Sequence, residues 1–99
     1  MGVTLRQIQG FLAVAEAGAF TKAASRLKLA QPALSQLVRE LERDLNIRLF
    51  DRTTRRVELT EGGREFQRAA LKLMQDLDLA VAGARNLAQF NASTTGEPV

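Results

Sequence analysis

Three side chains that can hydrogen-bond the edges of DNA bases lie close together in this 99-residue sequence: Gln31, Ser35 and Gln36. A carboxamide can pair with the N6 and N7 edge of adenine, and a short hydroxyl can reach a base or a phosphate. This chemistry requires one exposed face of a helix that fits the major groove. On an arbitrary amphipathic helix the same residues would form a solvated face, so the surrounding elements decide between the two interpretations.

The segment around these residues predicts a helix-turn-helix over about residues 20–39. Ala23 and Ala24 allow two helices to approach closely, and a turn of a few residues makes the second helix cross the first at a steep angle. Pro32 fits the first turn of the second helix, because the N–H that proline lacks has no partner there. One face of this helix is apolar, and the other can enter a groove. The polar face consists of Gln31, Pro32, Ser35, Gln36 and Arg39.

Flanking elements complete a predicted domain over residues 3–60. Thr4 and Gln7 have the spacing of a capping box and begin a first helix that ends near Ala17. A basic loop and the alternating segment 57–59 follow the helix-turn-helix and predict a wing. The expected fold class is mainly α: a winged helix-turn-helix, with three helices plus a two-stranded wing, followed by a long linker helix.

The predicted linker helix covers residues 61–90 and begins after Thr60, which can cap it. Its apolar residues recur at alternating spacings of four and three, which is typical of a helix that pairs with another helix. We expect this stripe to form a dimer interface, and we expect residues 91–99 to form a flexible hinge or tail. The stripe consists of Phe66, Ala70, Leu73, Leu77, Ala80, Ala84 and Leu87.

Positive charge is concentrated in the helix-turn-helix and wing. Residues 20–60 carry nine basic and five acidic side chains, whereas residues 61–99 carry four basic and five acidic ones. A local basic surface is typical of a module that contacts phosphates and releases their counterions, although a charge run in a loop is often only a solvated surface. The candidates for contacts to the DNA backbone or the flanking minor groove are Thr21, Lys22, Arg39, Arg52, Thr54, Arg55 and Arg56.

The composition argues against several other classes of protein. The sequence contains no cysteine and no histidine, which excludes a disulfide framework, zinc sites of the usual kind and Cys–His or Ser–His catalysis. It also has no glycine-rich phosphate loop before a helix and no carboxylate cluster at metal-ligand spacing. We therefore expect no enzyme activity, no cofactor and no metal. The absence of a signal-peptide core or a bilayer-spanning apolar run predicts a cytoplasmic protein without a membrane partner.

Ordered motifs across residues 3–90 resemble the amino-terminal DNA-binding domain and linker helix of LysR-type bacterial transcription regulators. The motifs are the segments 11–16, 20–24, 31–35, 41–42, 49–53 and 59–60, followed by Gly63. The resemblance implies a homodimer formed by antiparallel linker helices, which usually assembles further into tetramers and binds promoter DNA. It also implies apolar contacts from Pro32 and Ala33 to thymine methyl groups.

Two residues depart from the family pattern. Ala30 occupies a position where many relatives have Ser or Thr, so the first amides of the following helix need another partner, such as a phosphate oxygen. Gly62 precedes Gly63 where one glycine is more usual, which predicts a flexible first turn of the linker helix.

Two functions from different classes fit these patterns. The first is a sequence-specific module for double-stranded DNA, in which a dimer reads an inverted-repeat promoter site with helix 3 in the major groove. The alternative is a helical dimerisation or protein-interaction module without specific DNA readout. The concentration of basic residues over residues 20–60 favours the first. Because family members carry a ligand-binding domain after the linker helix, we expect this chain to be either a fragment that lacks it or a stand-alone remnant, and the polar tail favours a fragment.

Overall fold

The computed structural model describes residues 2–52 and 56–95, with side chains described through residue 90. Within these ranges the elements confirm the predicted winged helix-turn-helix and linker helix. Strands β1 and β2 are antiparallel, with Phe50 opposite Leu59 and Asp51 opposite Glu58. The elements are α1 (Leu5–Ala17), α2 (Phe20–Leu27), α3 (Gln31–Leu45), β1 (Phe50–Asp51), β2 (Glu58–Leu59) and α4 (Glu61–Thr95).

Local sequence signals set the ends of the first three helices. The Thr4 Oγ1 accepts a hydrogen bond from the Gln7 N–H at 3.2 Å, and the Gln7 Oε1 accepts one from the Thr4 N–H at 3.0 Å, which confirms the capping box. Helix α1 ends at Gly18, whose φ of 74° favours a residue without a side chain. Helix α3 begins without a side-chain cap at Ala30, as its methyl group predicts.

The core lies where α1, α2, α3 and the wing meet. Phe11 contacts Phe50 with ring centroids 5.3 Å apart, and Ala23 is fully buried between the helices. The small side chain at this position lets α2 lie close to α1 and α3, and the buried aromatic pair ties the wing to α1. This packing sets the orientation of α3 relative to α1 and α2. The buried cluster consists of Phe11, Val14, Ala23, Ala24, Leu34, Val38, Leu41, Leu49 and Phe50.

The start of α4 is anchored to the wing. The Thr60 Oγ1 accepts a hydrogen bond from the Gly63 N–H at 2.9 Å and donates one to the Arg48 carbonyl at 2.6 Å, which confirms the predicted cap. Gly63 is buried, and a Cβ at this position would collide with the Leu49 carbonyl oxygen. Gly63 therefore serves a close backbone approach, and the flexible first turn that the additional Gly62 suggests stays a prediction.

Two further expectations for α4 need correction. Ala70 is only 3% exposed and so belongs to the core of its own chain, whereas Phe66 is half-buried and packs against Phe11 with ring centroids 5.4 Å apart. The helix also continues to Thr95 instead of ending near residue 90. No proline or glycine interrupts residues 91–95, and the first such residue is Gly96. None of the described helices is long and apolar enough to span a bilayer.

Candidate nucleic-acid interface

The candidate base-reading residues lie together on the exposed side of α3. Gln31, Pro32, Ala33 and Gln36 are exposed, and Ser35 is half-buried. The opposite side of the helix carries Leu34, Val38 and Leu41, which are fully buried. The core therefore holds α3 rigidly by one face while the other stays open for contact.

Glu40 is a neighbour of this face that the sequence interpretation missed. The Gln36 Nε2 donates a hydrogen bond to the Glu40 Oε1 at 3.1 Å. This bond orients the carboxamide and leaves its Oε1 and one N–H available, the pair of groups that a bidentate contact to adenine requires. The spacing of four residues between Gln36 and Glu40 was a local signal that could have revealed the pair.

Substituting Glu40 with alanine is expected to change overall affinity and base discrimination in opposite directions. Loss of a carboxylate beside the contact face should raise affinity for any duplex by about threefold, because phosphates are no longer repelled. Discrimination at the base nearest Gln36 should fall, since its carboxamide is no longer oriented. Fluorescence-anisotropy titrations against duplexes changed at single positions would measure both effects. Asp76→Ala, on α4, is the control, and an identical response from both variants would contradict the role of Glu40.

Arg52 occupies a different place from the one expected of a phosphate contact. Its Nη2 lies 3.0 Å from the Glu42 Oε1, and its guanidinium lies over the Phe20 ring, 5.6 Å from the centroid. The Glu42 Oε2 accepts hydrogen bonds from the N–H groups of Leu49 and Phe50 at 2.8 and 3.3 Å. Arg52 and Glu42 thus tie the start of the wing to α2 and α3, and a DNA contact by the exposed part of Arg52 stays a prediction.

The remaining backbone candidates lie in separate places. Thr21 and Lys22 are exposed in the first turn of α2, which has no side-chain cap, and Arg39 is exposed on α3. Lys22 and Arg56 line one shallow depression between the end of α1 and β2. Two of the predicted cationic contacts therefore come together at the wing. Thr54 and Arg55 lie outside the described residues.

The three-helix core, the antiparallel wing and the exposed start of α3 define a winged helix-turn-helix domain of the kind found in DNA-binding proteins. Residues 5–64 match the family model described as bacterial regulatory helix-turn-helix protein, lysR family. The chain therefore belongs to the LysR family.

Individual relatives agree with this assignment. The chain is 47% identical over 70 residues to the transcriptional regulator TfdT of Cupriavidus pinatubonensis, an alignment that covers 71% of this chain and 31% of TfdT. BenM is a transcriptional regulator of Acinetobacter baylyi. The chain matches the crystal structure of the BenM DNA-binding domain (DBD) with catB site 1 DNA at a TM-score of 0.85 and 40% identity, and the match covers 87% of this chain and 96% of that one. Vibrio fischeri DarR, also solved with DNA, matches at a TM-score of 0.85 and 30% identity, covering 91% of this chain and 31% of DarR.

Proposed function

We propose that this chain is the sequence-specific, double-stranded DNA-binding module of a bacterial LysR-type transcription regulator. The observation that carries the proposal is the first half of α3, where five candidate contact residues are exposed or half-exposed above a fully buried apolar face. A helix held in this way can enter the major groove with its amino-terminal residues against base edges. The relatives solved with DNA support the same mode of binding. As a promoter-binding protein of a bacterium, it would work in the cytoplasm.

A homodimer formed through α4 is the second part of the proposal. Beyond Ala70 the stripe turns away from the body of its own chain: Leu73 is 47% exposed and Leu87 is 59% exposed. Apolar side chains at heptad spacing are buried when two such helices pair, and an antiparallel pair places two recognition helices on one duplex. The dimer would therefore read an inverted repeat, and the intact regulator would assemble further into tetramers. The part of the stripe beyond Ala70 consists of Leu73, Leu77, Ala80, Ala84 and Leu87.

Selection from a pool of random duplexes, followed by fluorescence-anisotropy titration at two salt concentrations, tests the proposal. Enrichment of an inverted repeat with half-sites about one or more helical turns apart would support a dimeric reader. Salt-sensitive binding without an enriched sequence would refute specific readout by α3. Absence of binding would favour the alternative, a helical interaction module that uses the exposed stripe of α4.

The cations at the wing are expected to affect all DNA sequences alike. Replacing both Lys22 and Arg56 with alanine should weaken binding uniformly and reduce the slope of log affinity against log salt by about 1 to 2, because each phosphate contact contributes about 0.9 to that slope. Anisotropy titrations of a specific and a scrambled duplex over a salt series would measure it. Arg64→Ala with Arg68→Ala, on α4, removes the same charge elsewhere. An unchanged slope for the wing variant would show that these cations do not touch DNA.

A further inference from the structure

Two arginines border one shallow depression at the carboxyl-terminal end of α3. Arg43 lies in the last turn of the helix, and Arg48 lies in the segment between α3 and β1. Both residues are exposed, and Asn46 and Ile47 line the depression with them. Among the described residues, neither guanidinium has a partner in an ion pair or a hydrogen bond. The depression therefore presents two positive charges that are not neutralised within residues 2–52 and 56–90.

The three acidic residues of α3 do not offset these charges. Glu42 also lines the depression, but its carboxylate binds Arg52 and two backbone N–H groups at the start of the wing. Glu40 accepts a hydrogen bond from a glutamine one turn earlier on the same helix. The Asp44 carboxylate lies beside Gly2, near the amino terminus of the chain. An anion that enters the depression therefore meets two arginines, while each of these carboxylates has another contact.

Arg43 continues the exposed face of α3 that carries the base-contact candidates. At about 100° per residue, its side chain leaves the helix within about 20° of the directions of Pro32 and Gln36. It lies about 10 Å further along the helix than Gln36, at about 1.5 Å per residue. The major groove is about 12 Å wide, so a helix that lies in it is bordered closely by the phosphates of both strands. A duplex that follows this face past Gln36 brings its backbone to Arg43.

The spacing of the basic residues on this face favours an anionic ligand. Arg39 and Arg43 are four residues apart on α3, a spacing at which like charges repel each other. A cation in the last turn of a helix is favourable against the helix dipole, which would account for Arg43 alone. Arg48 lies beyond the helix and borders the same depression. A phosphate placed there can accept hydrogen bonds from both guanidinium groups, whose planar N–H donors match its oxygens.

We propose that Arg43 and Arg48 form a second phosphate-binding patch for duplex DNA, separate from the wing and about 18 Å along α3 from Gln31. This inference rests on the DNA-binding module under "Proposed function" and extends its contacts beyond the start of α3. The patch holds phosphates outside the base pairs that Gln31 and Gln36 read. DNA is favoured over an acidic protein segment because the patch continues the face that carries those two glutamines.

Replacing both arginines with glutamine tests the patch. Arg43→Gln with Arg48→Gln should lower affinity for selected and scrambled duplexes alike, by at least about tenfold at low salt. It should also reduce the slope of log affinity against log salt by about 2, because each phosphate contact contributes about 0.9. Arg43→Lys with Arg48→Lys keeps both charges and should keep the slope. Arg64→Gln with Arg68→Gln, on α4, removes the same charge elsewhere and should change the slope by less than about 0.5.

Uncharged phosphates locate the contact on the DNA. Single phosphates of the selected duplex are replaced by methylphosphonates, and each duplex is titrated by fluorescence anisotropy against the original chain and the glutamine variant. Replacing a phosphate that the patch binds, just beyond the half-site, should weaken binding of the original chain about threefold or more. The same replacement should leave binding of the glutamine variant unchanged, because the contact is already lost. Replacing a phosphate bound by the wing should weaken both proteins alike.

The outcomes separate the patch from the module that it extends. An unchanged salt slope for the glutamine variant, or equal losses for both proteins at every replaced phosphate, would overturn the patch. Selection of a DNA sequence by the original chain would then still support the module, and the depression would be left to an acidic protein segment. A chain that binds no duplex would overturn the proposed function, and the patch with it.

Discussion

Alanine at both Gln31 and Gln36 is expected to lower the ratio of specific to non-specific DNA affinity by at least about 30-fold. Each base contact made by a carboxamide contributes about 1 to 3 kcal/mol of discrimination, and the two contacts lie on different turns of α3. Both side chains are exposed, so their removal should leave the fold unchanged. Affinity for scrambled DNA should also change little, because that affinity comes from phosphate contacts.

Competition anisotropy with the selected duplex and a scrambled one would measure the loss. Gln67→Ala with Gln75→Ala is a matched control, because it removes two carboxamides from α4, away from the predicted groove. An equal drop for both DNA types would mean that the glutamines contribute to general affinity only. An unchanged ratio of specific to non-specific affinity would show that Gln31 and Gln36 do not contribute to base recognition.

Glu42→Ala is expected to lower the free energy of unfolding by about 3 kcal/mol. The Glu42 side chain is only 11% exposed and accepts hydrogen bonds from two backbone N–H groups and from Arg52. Leu49 and Phe50 are fully buried, so their N–H groups would lose partners in a place that water does not reach. Each unsatisfied buried donor costs about 1 to 3 kcal/mol. The released wing should also weaken DNA binding.

Urea denaturation at a fixed protein concentration would measure this change, since dimerisation makes stability depend on concentration. Glu42→Gln keeps an acceptor oxygen for the backbone and should lose about half as much stability. Glu40→Ala removes a carboxylate from an adjacent turn and should change the unfolding free energy by less than about 0.5 kcal/mol. A loss for Glu42→Ala as small as that of Glu40→Ala would contradict the anchoring role.

Features coded by residues close together in sequence were predictable. Thr4 with Gln7, Pro32 at the start of α3, and Thr60 before α4 each act within one helical turn, and the structure places all three as expected. The buried apolar face of α3 was also predictable from the sequence, because apolar residues that recur with the helical period of 3.6 residues lie on one side of a helix. The position of the base-contact candidates on the free face follows from that arc.

Features that depend on distant contacts were not predictable. Heptad spacing shows that Phe66 belongs to an apolar stripe, but only the fold shows that Phe11 of the same chain covers it. Arg52 has the charge and loop position of a phosphate contact. In the fold it also pairs with Glu42 of α3 and lies over the ring of Phe20 of α2, two contacts that sequence position does not reveal. The two glycines at the start of α4 suggested flexibility from propensity alone. The close approach of the Leu49 carbonyl to Gly63 is a tertiary constraint that propensity does not contain.

The central claim is that the start of α3 is the surface that touches DNA bases, and NMR titration of the isotopically labelled chain with the selected duplex tests it most directly. Side-chain amide signals from glutamines report each candidate surface separately. The signals of Gln31 and Gln36 should shift strongly, with those of Gln75 and Gln89 on α4 unchanged. Strong shifts on α4 with unchanged signals from Gln31 and Gln36 would contradict the claim.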